Sequence, residues 1–179
     1  RLASLDGEAL LNTMHAHGDK ESLVYWLEFK DDEEFPAVFG GIGGGSALKF
    51  GLYRRKESGV WMTGNPRKQT ELTLAQAIDL ARRHRDHLVA GAELLGALPV
   101  DGTDEDYAGL QRELTERAAS ISNTAWGHKY LSLLYPDKLD DYHAEEYQRF
   151  HLVKLLQTPP KAVGRFVTGG RYVKIAREL

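Results

Sequence analysis

LKFGLYRRKESGVWMTGNPRK, residues 48–68, is the stretch on which the reading of this chain turns. Leu48, Phe50 and Leu52 alternate with Lys49, Gly51 and Tyr53, the period-two pattern of a strand with two unlike faces. Glu57-Ser58-Gly59 predicts a three-residue hairpin loop, with Gly59 in the left-handed conformation that a Cβ would resist. That register sets Lys56 opposite Val60, Arg55 opposite Trp61, Arg54 opposite Met62 and Tyr53 opposite Thr63. Lys49, Tyr53, Arg55, Trp61 and Thr63 then share an outer face, while Leu48, Phe50, Leu52 and Met62 share the core face with Arg54 at its rim. A slip of one residue exchanges the faces.

For the chain as a whole, 179 residues suffice for one well-cored domain or two small ones. Apolar content of 42% and charge of 27% are those of a globular chain, which argues against wholesale disorder. No apolar run approaches the roughly 18 residues of a membrane span, and no signal-peptide pattern opens the chain. The start at Arg1-Leu2-Ala3 suggests a piece of a longer protein. With no cysteine, disulfides and zinc-thiolate sites are excluded, and the expected location is the cytoplasm.

The net charge of −3 argues against a nucleic-acid binder, but its distribution does not. Between Lys49 and His87 stand nine Lys/Arg against four Asp/Glu, a local +5, which leaves −8 for the remainder. Such asymmetry directs a polyanion to one face. The alternative is that Arg82, Arg83 and Arg85 form a solvated helix face.

Residues 4–17 read as a short helix capped by Ser4, with His15 and His17 as exposed polar residues at its end. Leu23–Lys30, rich in aromatic and β-branched side chains, reads as a strand, and Pro36–Phe39 as a second short one. The glycine run at 40–46 lacks P-loop spacing and precedes a strand pattern, which disfavours a dinucleotide fingerprint. A flexible connection and a backbone-lined ligand loop both fit it. Thr73 and Gln76 form a capping box opening a helix of about six turns, with Leu74, Ile78, Ala81, Leu88, Ala92 and Leu95 on one face. Further helices are expected from Thr103, from Thr124 to Tyr135 after a Ser122-Asn123 cap, and from Ala144 to Gln157, with one more short helix after Lys161. Tyr107, Leu110, Leu114, Ala118 and Ile121 mark the buried stripe of the second.

The fold class is therefore α+β: a small antiparallel sheet with a β-hairpin over about 23–64, followed by a helical cluster over about 73–157. Residues 1–179 read as a single domain, with divisions near residue 70, into sheet-rich 1–70 and helical 71–179, or near residue 100 also compatible.

Metal chemistry has one candidate set, His143, Glu146 and His151, two histidines eight apart with a carboxylate between them. The H-E-x-x-H order is absent, and acids opening a helix are explained by its dipole, so a structural role is favoured. There is neither cysteine nor G-x-S-x-G, so no nucleophilic triad is visible.

Trp126-Gly127-His128-Lys129-Tyr130-Leu131, Leu134-Tyr135-Pro136-Asp137-Lys138, Tyr142-His143 and Glu146-Tyr147-Gln148-Arg149 resemble a segment upstream of the ATPase-type core in McrB-like AAA+ proteins. These are the GTP-dependent motors of modification-dependent restriction systems, which serve in defence. Lys49-Phe50-Gly51 through Trp61, leading to Ala81-Arg82 and Arg85-Asp86, is similar to the same N-terminal region. The resemblance covers about residues 23–157. It implies a DNA-targeting module that recognises a modified base such as a methylated one, often by flipping it into an aromatic pocket. A motor and a nuclease subunit would lie elsewhere as partners, and no family pocket residue transfers to this chain.

Together these features predict a non-catalytic DNA-binding module without cofactor or metal. Lys49, Tyr53, Arg55, Trp61, Arg67, Lys68, Arg82 and Arg83 are its expected DNA-binding residues, the rings stacking a base and the cations holding phosphates. A protein-interaction or assembly surface on the aromatic-rich helices 124–157 is the alternative, and a small metal-dependent hydrolase the third reading.

Overall fold

Helices and turns precede the sheet, in place of the expected first strand. The computed structural model describes residues 2–35, 40–44, 46–156, 162 and 164–178. The strand expected over Pro36–Phe39 and the Pro159-Pro160 stop lie outside these residues. Two compact units divide the chain, Arg1–Asp86 and His87–Leu179.

In the first unit, α1 (Gly7–His15) is capped by the side chain of Asp6, which accepts from the Gly7 N–H, while Ser4 ends a 3₁₀ turn, Leu2–Ser4. Leu10, Leu11, Met14 and His15 are its buried face. Residues 23–34 form one helical run, correcting the strand expected at Leu23–Lys30. It consists of α2 (Leu23–Tyr25), a π-helical turn (Trp26–Lys30) and α3 (Asp31–Glu34). Ser22 caps it by accepting from the Tyr25 N–H at 3.3 Å. The inward positions are Val24, Leu27, Glu28 and Asp31, spaced as a helix requires. Two of the four are acids, which hides the helical period from a reading of apolar residues alone.

The α+β class holds, with a three-stranded antiparallel sheet in the order β1-β2-β3 over 52–72. Its strands are β1 (Leu52–Arg54), β2 (Trp61–Asn65) and β3 (Lys68–Leu72). The expected hairpin register is off by one, for Leu52 pairs with Thr63, Tyr53 with Met62 and Arg54 with Trp61. The cause is the loop. Arg55 N–H donates to the Val60 carbonyl at 2.8 Å, so the loop is 56–59, four residues long instead of three. Gly59 does adopt the left-handed conformation, φ 70°. Ahead of β1, residues Ala47–Phe50 form a 3₁₀ turn, so Lys49 is not on a strand. The third strand follows a turn in which Asn65 Oδ1 accepts from the N–H groups of Arg67 and Lys68, both at 3.0 Å.

Helix α4 (Leu74–Ala97) carries the chain from the first unit into the second. Its start is the expected capping box: Thr73 N–H donates to Gln76 Oε1 at 2.9 Å and Gln76 N–H to Thr73 Oγ1 at 3.3 Å.

In the second unit, α5 (Asp104–Arg117) opens with a capping box between Thr103 and Asp106. Tyr107, Leu110, Leu114, Ala118 and Ile121 are buried as the sequence predicts. Helix α6 (Ala125–Leu134) is capped by Thr124, one residue beyond the expected Ser122-Asn123 pair. Helix α7 (Glu145–His151) runs into a π-helical turn, Leu152–Leu156, and α8 (Arg165–Glu178) follows. Helix α8 packs on α5, and a Cβ at Gly170 would overlap the Tyr107 ring, so a bare backbone is what allows this approach. Tyr107 donates its hydroxyl to the Lys138 carbonyl at 2.7 Å, and burial pushes its pKa up to about 12. The Lys138 ammonium closes the end of α4, donating to the carbonyls of Leu95, Gly96 and Leu98 at 2.9, 2.8 and 2.6 Å. Among the described residues no helix is long and apolar enough to cross a membrane.

Candidate nucleic-acid interface

The register places the two aromatic side chains of the hairpin apart. Residues directly opposite in an antiparallel pair share a face. Trp61 therefore lies with Leu52, Arg54 and Leu72, whereas Tyr53 lies with Met62 and Glu71. Trp61 is 7% exposed, with the Arg54 guanidinium 6.0 Å from its ring centroid, a stacked cation that covers it. Tyr53 is half-buried and donates its hydroxyl to Gln69 Oε1 at 2.7 Å. A shared stacking platform of Tyr53 and Trp61 is thus not formed.

The expected cations divide into two sets. Lys49 is tied down: its ammonium donates to Glu28 Oε1 at 2.5 Å and to the carbonyls of Ile42 and Gly44 at 2.7 and 2.9 Å. These three bonds use all three of its N–H donors. They bind the glycine-rich segment to the π-helical turn that carries Glu28. Arg82 is also engaged, holding Asp6 through Nε and Nη2 at 2.6 and 3.1 Å and Asp79 through Nη1 at 2.7 Å. The Arg82 guanidinium, helped by the Gly7 N–H, holds the Asp6 carboxyl down at a pKa of about 2. Arg85, on the same helix, donates to the Leu5 carbonyl at 2.7 Å and to Asp86.

The other set is less engaged, although Arg82 too is open to solvent over 41% of its side chain. Arg67 and Lys68 are exposed at the β2–β3 turn, and Arg83 is exposed on α4. Arg55 is half-exposed, with one guanidinium nitrogen 3.6 Å from Glu71, a surface pair of small energetic weight. Arg54, Arg55 and Lys56 line a cleft of about 660 Å³ whose remaining walls are Ala16, His17, Gly18, Asp19 and Gly59. Arg54 is positioned by its Nε–H, which donates to the Gly59 carbonyl at 2.8 Å. Of the residues expected at the interface, only Arg55 lines this cleft. Arg54 at the end of β1 and Lys56 at the start of the loop join it.

His17 is the site residue that sequence reasoning missed. It is not a loose polar residue: its Nε2 lies 2.5 Å from Glu28 Oε2, and Glu28 is 3% exposed. His15 is fully buried, its Nε2 3.1 Å from His84 Nδ1, and burial followed by the neighbouring His84 drives its pKa well below the usual imidazole range. The polar buried residues at 15, 28 and 84 carry no apolar signal, so periodicity could not find them.

The candidate metal set is not assembled as expected. His143 precedes α7 instead of lying on it, so the eight-residue helical spacing to His151 does not apply. Its Nδ1 lies 3.0 Å from Nδ1 of the buried His128, and His128 Nε2 is 3.4 Å from Asp140. His151 lies against Tyr142, the rings tilted by 38° with centroids 4.8 Å apart. Among the described residues no group of three or more His, Asp or Glu could hold a metal ion.

No family model matches this chain, and no curated protein or solved structure matches it either.

Proposed function

We propose that this chain is a non-catalytic DNA-binding module that targets a modified base, with phosphate contacts made by the cleft beside the hairpin. The observation that carries the reading is the convergence of Arg54, Arg55 and Lys56 on one concavity of about 660 Å³. That volume is in the range of small-ligand pockets, about 300–1,000 Å³, and suits a nucleotide drawn out of a duplex. Arg67, Lys68 and Arg83 extend the cationic surface available to phosphates. The modified-base part rests on the resemblance of residues 126–149 and 49–86 to McrB-like proteins. On that reading the module works in the cytoplasm beside a motor and a nuclease subunit.

Titration of methylated and unmethylated duplexes at about 50 and about 200 mM salt tests this directly. Binding that weakens steeply with salt and favours the methylated duplex is the expected result. An absence of binding at the lower salt ends the proposal.

A second reading, an assembly surface, is favoured by one observation in the C-terminal unit. Tyr147, Phe150 and Val153 follow one another at helical spacing and are 59%, 54% and 49% exposed. Tight oligomers in size-exclusion chromatography, dispersed by Phe150→Ser and indifferent to DNA, would support that alternative.

A further inference from the structure

Glu28, His17 and Lys49 form a chain of charge that ends at the cleft. Glu28 is buried on the π-helical turn, and each of its oxygens has a partner: Lys49 Nζ on one and His17 Nε2 on the other, both at 2.5 Å. A carboxylate only accepts hydrogen bonds, so His17 must present Nε2–H to it. In the neutral ring that leaves Nδ1 as a lone pair. His17 is a wall of the cleft that Arg54, Arg55 and Lys56 also line, and a third of its side chain is exposed.

A phosphate oxygen offers only lone pairs and is repelled by an unprotonated Nδ1. Once Nδ1 is protonated, His17 becomes a cationic donor, its other nitrogen already held by Glu28. Arg54, Arg55 and Lys56 are the cations that share the cleft with it. Among the described residues Asp19 is the one acid on the same wall. Lys49 offsets the charge of Glu28 from the far side.

We propose that the cleft is a phosphate subsite in which Arg54, Lys56 and a protonated His17 grip one phosphate of a nucleic-acid strand, so that binding takes up a proton at His17. This rests on the DNA-binding reading and adds to it a named phosphate ligand and a pH dependence.

The test is fluorescence anisotropy of a labelled duplex at about pH 6 and about pH 8, at constant ionic strength, on the intact chain and on His17→Gln. The intact chain should bind about tenfold more tightly at the lower pH, the factor that corresponds to one pKa unit of linkage. His17→Gln should retain weaker binding with that dependence flattened. Nitrogen-detected NMR of the imidazoles gives a second readout that needs no variant: added duplex should convert His17 to the doubly protonated ring. Inorganic phosphate in place of the duplex separates the two sources of the anion, because a strand-specific subsite responds to the duplex at concentrations where free phosphate leaves the His17 signals unmoved. Duplex binding whose pH dependence survives His17→Gln, with the ring still singly protonated, overturns the subsite and leaves the DNA-binding reading standing. No binding of the duplex at either pH overturns both.

Discussion

Lys49 and Lys56 stand seven residues apart on either side of β1, and the chain treats them in opposite ways. Lys49 sits among a buried carboxylate and two carbonyls, its donors all committed to holding the glycine-rich segment in place. Lys56 is exposed at the mouth of a cleft, beside Arg54 and Arg55. Both contribute equally to the local +5 that makes the sequence look like a polyanion binder. A charge count therefore overstates the electrostatic footprint. Lys49, Arg82 and Arg85 are engaged by acids and carbonyls of the fold, and the less committed charge lies on the hairpin from Arg54 to Lys56, at the β2–β3 turn and at Arg83.

The largest effect expected from breaking this contrast is at the clamp. Lys49→Met leaves Glu28 buried with one oxygen unpaired and two carbonyls without their donor. Removing one partner of a buried pair costs about 3–5 kcal/mol, and the 21% exposure of Lys49 puts this one at or below the lower end, to be read from the midpoint of urea unfolding at unchanged slope. Exposed Lys56→Met should stay within about 0.5 kcal/mol in the same experiment.

A second experiment addresses the ground between the two regions, where Gly51 runs beside the ring of His84. His15, in contact with His84, is held neutral in the fold because burial lowers its pKa. As pH falls below about 6.5 the unfolded chain takes a proton that the folded chain refuses, so stability rises with pH through this window and is lost on acidification. The slope for one proton is about 1.4 kcal/mol per pH unit. Urea unfolding between about pH 5 and pH 7 should show it, and His15→Leu should flatten it, whatever that substitution does to stability itself.

Smaller still is the effect at Arg82. Its partners Asp6 and Asp79 are largely exposed, so Arg82→Gln should move the urea midpoint at neutral pH only slightly. The depressed Asp6 carboxyl contributes stability that is present above its ordinary value of 3.8 and lost as pH falls toward about 2. Arg82→Gln should remove that acid-side loss, as followed by circular dichroism below about pH 4, and should leave DNA affinity unchanged.

Local rules that act through the backbone were legible in the sequence. The Thr73–Gln76 box, the acids at 104–106, the stripe from Tyr107 to Ile121 and the left-handed Gly59 all appear where those rules put them. Each depends on residues within a few positions of one another. The helical run at 23–34 was not legible, because its aromatic and β-branched residues favour strand while two of its inward positions are acids. The hairpin register failed by one residue because three- and four-residue loops both fit Lys56-Glu57-Ser58-Gly59, and that difference reverses which side chains share a face. The partners of Lys49 and His17 lie 21 and 11 residues away at Glu28, across distances that no periodicity describes. Thus Arg55 could be anticipated at the cleft, while Arg54, Lys56 and His17 required the fold.

On the proposed DNA-binding reading, the salt dependence of affinity separates the cations engaged in the fold from those left to face phosphates. For each phosphate that the protein no longer neutralises, the slope of log K against log salt should become shallower by about 0.9. Arg55→Gln combined with Lys56→Gln, which spares every hydrogen bond that shapes the hairpin, is predicted to make that slope shallower by about 2, while Arg82→Gln leaves it as it was. A slope that ignores the hairpin substitutions and falls with Arg82→Gln would be incompatible with this division of charge, placing Arg82 in the interface and the cleft outside it.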